Sequence, residues 1–255
     1  MRIATYNVWN DDRGGRARQE QLVRAIAAVD ADVIALQEVR PAQFRDELAG
    51  LFPHAAFRAY AGEDEGLAIL SRHPILEVTW LHELPEHGRC AALNAVIGHE
   101  GQRVSVTNLH LPWDSTLEKE RQIVAIDRFA HAQEADIRLL LGDFNGSENS
   151  SVHRFLTGEQ SLLGCEARPY WFELSSTFAA IHGQPLPPTL DFQHNPRWGG
   201  RNTTEIPFAA DRIYVMLREA TDDLRQIWRF GMDVSPESGL APSDHYGVAA
   251  DIIFG

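Results

Sequence analysis

Eight polar residues stand at the ends of apolar runs spread along the whole chain. Asn7 lies near the end of Arg2–Val8, and Glu38 ends Asp32–Glu38. His110 follows Arg103–Leu109, and Asp143 and Asn145 follow Ile137–Leu141 within Gly142-Asp143-Phe144-Asn145. Asp211 lies inside Phe208–Leu217 beside Arg212, and Asp244 and His245 directly precede Tyr246–Phe254. The set holds four carboxylates, two amides and two imidazoles. Carboxylate and carbonyl oxygens suit a hard ion such as Mg²⁺. An imidazole titrating near neutrality relays or donates protons, and amide N–H groups hold a phosphate oxygen. Together these are the parts of metal-assisted phosphoester hydrolysis. A zinc hydrolase fits less well, because the set supplies no thiolate and no His-x-x-x-His pair. Taken singly, each residue also has an ordinary reading as a turn, a cap, a solvated strand end or a local ion pair. The weight rests on their recurrence at strand ends, which are rigid mounts able to converge on one cleft.

The elements that must carry them read as follows. Strands are expected at Arg2–Val8, Asp32–Glu38, Gly66–Ser71, Leu76–Leu81, Ala91–Ile97, Arg103–Leu109, Ile137–Leu141, Phe208–Leu217 and Tyr246–Phe254, with a hairpin turn at His99-Glu100-Gly101-Gln102. Helical spacing of apolar residues marks Arg18–Val29 and Thr116–His131, and Pro41 opens a helix to Leu51. Ser151–Leu156 and Trp171–Ile181 read as short helices, and Gly183–Glu205 as a long ordered loop. No linker, short repeat or composition break divides residues 1–255, so one α/β domain of two packed sheets with outer helices is expected.

The chain has 255 residues, 44% hydrophobic and 23% charged, which is globular composition. No apolar run approaches a membrane span of about 20 residues, and Cys90 and Cys165 offer neither a zinc spacing nor a disulfide framework. The N-terminus reads directly as a strand, so a cytoplasmic location is expected. Acids outnumber bases 36 to 23, a formal charge of −13, and Lys119 is the only lysine. Setting the four site carboxylates aside still leaves the chain acidic. A small or end-presented phosphoester therefore suits it better than long duplex DNA, whose binding draws on many phosphate contacts. Arg40, Arg72, Arg89, Arg197 and Arg201 are candidates for a local anion-binding rim, and Trp113 and Trp198 for stacking on a base or sugar.

The ordered set resembles the endonuclease/exonuclease/phosphatase superfamily, whose members include DNase I-like nucleases, phosphatases and phosphodiesterases. The resemblance runs over essentially the whole chain. It is carried by Ile3-Ala4-Thr5-Tyr6-Asn7, Val33-Ile34-Ala35-Leu36-Gln37-Glu38, Ala68-Ile69-Leu70-Ser71-Arg72-His73-Pro74, Thr107-Asn108-Leu109-His110, Gly142-Asp143-Phe144-Asn145, Asp211-Arg212-Ile213 and Ser243-Asp244-His245. It implies a four-layer α/β/β/α sandwich of mainly antiparallel sheets with the site at one end. It also implies roles. Glu38 would be the principal Mg²⁺ ligand, with Asn7 and Asp244 close to the ion and Mn²⁺ as a substitute. Asp143 would orient or activate water, and Asn145 would position the phosphate. His245, oriented by Asp211, would be a general base or a charged stabiliser, and His110 would contact a phosphate oxygen.

His110 stands where the abasic-site endonucleases usually carry Tyr, which lowers that reading. Pro188-Thr189-Leu190-Asp191-Phe192-Gln193-His194-Asn195 resembles a Thr-x-Asp…Asn loop of the tyrosyl-DNA phosphodiesterase branch, with Leu190 where an aromatic is common. This suggests Asn195, with Arg72, Trp113 and Trp198, as substrate contacts. The expectation is a Mg²⁺-dependent phosphodiesterase or phosphatase. The alternatives are a nuclease or DNA-end-processing phosphodiesterase, then a sphingomyelinase-like lipid enzyme, then an inactive binding module.

Overall fold

Alternation of apolar residues along the strands builds the molecule. The structure, a computed structural model, describes residues 1–11, 13–81, 92–185, 187–199, 204–216 and 223–255. Its strands are β1 (Arg2–Asn7), β2 (Val33–Val39), β3 (His54–Ala59), β4 (Gly66–Ser71), β5 (Ile75–Leu81), β6 (Ala92–His99), β7 (Gln102–His110), β8 (Ile137–Asp143), β9 (Trp171–Glu173), β10 (Asp211–Met216), β11 (Asp223–Phe230) and β12 (Gly247–Ile253). The helices are α1 (Gly15–Ala28), α2 (Pro41–Gln43, continued by a π turn Phe44–Leu48), α3 (Thr116–His131), α4 (Ser151–Leu156) and α5 (Leu174–His182). One face of each sheet meets the other sheet through Ile3, Val33, Ile69, Val106, Leu139 and Ile213. The intervening residues face the helices. Ala4, Ile34 and Leu70 pack with Leu22 and Ile26 of α1, while Leu109 and Leu140 pack with Ile123 and Ile126 of α3. Each fully buried side chain of this size contributes about 1.5–3 kcal/mol. The outcome is the expected α/β/β/α sandwich.

The two six-stranded sheets follow one plan, β11-β12-β1-β2-β4-β3 and β5-β6-β7-β8-β10-β9. Each has a single parallel pair at its centre, β1 with β2 and β7 with β8, and every other pairing is antiparallel. The parallel pairs are joined through α1 and α3, since parallel neighbours need a crossover. This repeat of topology has no counterpart in the residue pattern. Its consequence is that the C-terminal ends of four central strands, carrying Asn7, Glu38, His110 and Asp143, emerge at one end of the sandwich.

Several expected bounds shift. Trp171–Ile181 is not one helix: Trp171–Glu173 pairs with Met216–Tyr214 as an edge strand, and Glu173 then caps α5 by accepting from Ser175 N and Ser176 N at 3.0 and 2.6 Å. Strands β3 and β11 were not anticipated. Cys90, Arg89 and Arg201 lie outside the described residues, while Cys165 carries a free thiol. Among the described residues no helix is long and apolar enough to cross a membrane.

Candidate active site

Towards the end of the sandwich where these strands emerge, the inter-sheet face turns polar. Thr5, Gln37 and Asn108 continue the alternation of Ile3, Ala35 and Val106, and all three are fully buried. Gln37 donates to Asn108 Oδ1 at 2.7 Å and to Thr5 Oγ1 at 3.1 Å. Asn108 donates to the carbonyls of Leu36 and Ala68, both at 2.9 Å. This layer fastens the two sheets under the cleft. Glu38 should by alternation point away from it. A register irregularity between Leu36 and Val39 and a positive φ of 56° at Glu38 turn its side chain back towards the cleft. Bulges re-aim side chains in this way, and a left-handed non-glycine residue is a strain that surrounding structure must hold.

Asp143 is the hub. It is fully buried at the end of β8. Its Oδ1 accepts from Asn145 N at 2.8 Å. Its Oδ2 accepts from Asn7 Nδ2 at 3.0 Å and from Asn145 Nδ2 at 3.3 Å. The Nε2 atoms of His110 and His245 stand 3.6 and 3.8 Å from the same oxygen. Asn7 Nδ2 also donates to Glu38 Oε1 at 2.9 Å, and Asn10 N donates to Glu38 Oε2 at 2.9 Å. On the far side His245 Nδ1 is 2.9 Å from Asp211 Oδ2. Asp211 is held in turn by the Thr189 hydroxyl, which accepts from Ala210 N and Asp211 N at 2.9 and 3.0 Å. Ser243 donates to the Asn7 carbonyl at 2.7 Å and accepts from His245 N at 3.2 Å, locking the last strand's entry to the first strand's end.

The electrostatics are dominated by crowded negative charge. Among the described residues no lysine or arginine ion-pairs with Glu38, Asp143, Asp211 or Asp244. Burial, reinforced by Glu38 and Asp143, pushes the Asp244 carboxyl up to about 6. Burial alone would push the His245 imidazole down, but Asp211, Asp143 and Asp244 together hold it well above its ordinary value, as the imidazolium. Burial likewise pushes Asp211 up, against the attraction of His245. Four carboxylates facing one imidazolium form a deficit of positive charge that a hard divalent cation fits. Among the described residues, possible ligand atoms of Asp143, Asp211 and His245 all lie within 4.8 Å of one another. The 2.9 Å Asp211–His245 contact among them is already a hydrogen bond. Glu38 and Asp244 are the remaining carboxylates of the cleft. Asn7 turns its NH₂ to the carboxylates and its oxygen to Trp9 N at 3.0 Å.

The eight strand-end residues thus come together, but the expected substrate contacts divide. Arg72 must be corrected. Because β4 runs antiparallel to β2, its C-terminal end lies beside Val33, away from Glu38, and Arg72 ion-pairs there with Asp30. Asn195 is also corrected, being fully buried and committed to Ser243 O and Arg197 N, both at 3.0 Å. Trp198 donates to Asp244 O at 3.2 Å and packs on Phe192, so it too supports the loop before His245. Trp113 is 77% exposed three residues beyond His110. Of the arginines, Arg197 donates to Ala241 O at 2.7 Å and Arg40 to Asn10 Oδ1. Asn10, Gln37, Asn108 and Thr189 were missed as site residues. A polar side chain at a core-facing strand position was the available signal for Gln37 and Asn108.

Comparison with solved structures places the same fold in proteins of low identity. A functionally unknown conserved protein from Enterococcus faecalis V583 matches with a TM-score of 0.76 at 24% identity, over 100% of both chains. TDP2 from D. rerio, solved in complex with a single strand DNA product, matches with a TM-score of 0.77 at 19% identity, over 100% of this chain and 99% of that one. An endonuclease/exonuclease/phosphatase from Bacteroides vulgatus matches with a TM-score of 0.74 at 16% identity, over 100% and 98%. No curated protein matches in sequence. The profile of the Endonuclease/Exonuclease/phosphatase family matches residues 4–245, and with the strand-end constellation in place the chain belongs to that family of phosphoester hydrolases.

Proposed function

We propose that the protein is a Mg²⁺-dependent phosphodiesterase or phosphatase that cleaves a small or end-presented phosphate ester by in-line attack of water. The observation that carries this reading is the Asp143 carboxylate, reached at once by Asn7, Asn145, His110 and His245 with Asp211 behind. Glu38 and Asp244, with Asn7 beside them, would hold Mg²⁺ or Mn²⁺. Bound there, the ion supplies neutralisation of phosphate charge and a lowered pKa for water. Asp143 orients the attacking water and accepts its proton. Asn145 positions the phosphate. His245, kept cationic by its carboxylate neighbours and fixed by Asp211, stabilises charge on the phosphoryl oxygens from Nε2, and His110 does so from the other side of Asp143.

The test is hydrolysis of bis-(p-nitrophenyl) phosphate by the purified protein. Weak turnover that needs Mg²⁺ or Mn²⁺ and stops with a chelator is expected. Asp143→Ala and His245→Ala should each lower it by about 100-fold or more while leaving the far-UV spectrum unchanged. Near-full turnover by either variant refutes the role given to that residue. A wild-type protein inert on monoesters, diesters and nucleotides with either metal refutes the hydrolase reading. A second reading, processing of nucleic-acid ends, draws support from the similarity to TDP2 bound to a single strand DNA product. A 5′- or 3′-blocked oligonucleotide in the same assay decides between the two.

A further inference from the structure

Asn145 also lines a cavity of about 860 Å³, whose other walls the mechanism above does not use. Its walls include Lys119, Glu148, Ser175, Phe208 and Arg212. That volume lies in the range of small-molecule pockets. Two buried polar side chains of this wall are incompletely bonded. Arg212 is 2% exposed, and among the described residues its Nε and Nη2 have no hydrogen-bond partner. Ser175 is also 2% exposed, and its hydroxyl has none. Leaving such groups unmet is costly, and more so for a charge, so they call for a reason.

The charges indicate which ligand would meet them. Arg212 Nη1 is neutralised from below by buried Glu173 at 3.3 Å. Among the described residues, the acid facing Nη2 is Glu148, at 3.6 Å, beyond hydrogen-bond distance and with its side chain 58% exposed. An exposed carboxylate can swing away when a better anion arrives. Lys119, the only lysine of the chain, stands where the cavity meets the catalytic cleft. Its ammonium donates to the Asn145 carbonyl at 2.6 Å and makes no ion pair among the described residues. Two further donors of the ammonium remain for a ligand. With Glu148 displaced, the wall is net positive in an otherwise acidic protein.

We propose that this cavity is a second anion subsite, which binds a phosphate flanking the scissile one in a nucleotide-like substrate through Lys119, Arg212 and the Ser175 hydroxyl. Glu148 occupies the anion's place when the subsite is empty. The proposal rests on the phosphoester-hydrolase reading, since it takes the scissile phosphate to sit at Asn145, and it adds the class of substrate.

The test is calorimetric titration of the full chain with thymidine 3′,5′-bisphosphate, thymidine 5′-monophosphate and thymidine 3′-monophosphate. The bisphosphate should bind at least tenfold more tightly than either monophosphate. Arg212→Met would strand Glu173 and can unfold the protein, so two variants at the cavity wall carry the test. Lys119→Met should reduce the bisphosphate preference several-fold, and Glu148→Gln should raise it while leaving bis-(p-nitrophenyl) phosphate turnover unchanged. Equal affinity for the three nucleotides, no binding at millimolar concentration, or a preference that neither variant moves overturns the subsite. Bis-(p-nitrophenyl) phosphate carries no second anion. Turnover of that ester without a bisphosphate preference therefore sinks the subsite alone, and the preference without turnover sinks the hydrolase reading alone.

Discussion

Asp244 is 9% exposed beside Glu38 and Asp143, and burial among them lifts its carboxyl to about 6. The folded state therefore binds this proton more tightly than the unfolded chain, where the value is near 4. By linkage, the residue costs nothing below about pH 4. It progressively lowers stability between about pH 4 and 6, and costs up to about 3 kcal/mol above that. Asp244→Asn should thus be more stable than the wild type by about 1–3 kcal/mol at pH 7.5, with the margin vanishing near pH 3.5, in urea unfolding without divalent ions. Added Mg²⁺ should reverse the order, because an ion bound only to the folded state stabilises it by mass action and the amide is the weaker ligand. A margin that stays constant with pH would show that the carboxylate is not charge-crowded. His245 has the same sign for a different reason. Its raised value means that its stabilising contribution is complete below about 6.5 and is lost as pH rises through the folded value.

Among the elements, the joint between the start of α1 and the loop before β12 decides whether the site forms. Arg18, 4% exposed on α1, donates to Pro242 O at 2.7 Å, to Asp11 O and Trp9 O at 2.6 Å, and to Val8 O. One guanidinium therefore holds the segment after Asn7 against the segment that carries Asp244 and His245. Arg18→Met removes four charge-assisted bonds and leaves buried carbonyls unpaired. A loss of about 3–5 kcal/mol is expected in urea unfolding, together with lower turnover. A loss below 1 kcal/mol would mean that water replaces the guanidinium. Nothing in the residue pattern announced Arg18, which reads as one polar position of an amphipathic helix. What was legible had a local cause. Helix α3 begins as expected after Ser115, whose hydroxyl accepts from Glu118 N at 3.2 Å, and α4 after Ser150, which caps it likewise. Core strands announced themselves by apolar residues and ended in the site's polar ones. Edge strands did not. β3 is the alanine-rich, largely exposed His54–Ala59, and the alternation of β11 is broken by a register shift between Leu224 and Gln226. Strand direction was equally hidden, which is why Arg72 looked like a rim residue, and the roles of Thr189 and Asn195 depend on a long loop folding back under the Asp211–His245 pair.

For the molecule as a whole, the repeated sheet plan brings four central strand ends to one cleft, while the chain is acidic overall. The net charge of −13 opposes the approach of a polyanion. Among the described residues, two arginines near the mouth, Arg13 and Arg197, are engaged within the protein. Arg13 ion-pairs with Asp11 at 3.0 Å and lies over Trp9, where Arg197 also stacks while donating to Ala241 O. Tight duplex binding needs about 6–10 phosphate contacts and then weakens by orders of magnitude between low and physiological salt. With Arg13 and Arg197 committed to contacts within the protein and a net charge of −13, so many phosphate contacts are not expected. Supercoiled plasmid incubated with Mg²⁺ and the protein at concentrations that hydrolyse a chromogenic diester should therefore remain intact, at both 20 and 200 mM salt. A short ester or a single-stranded end needs only one phosphate in the cleft and escapes this limit. Rapid plasmid nicking that fades as salt is raised would show that a basic track exists despite the overall charge, and would move the substrate from small or terminal phosphoesters to internal sites of duplex DNA.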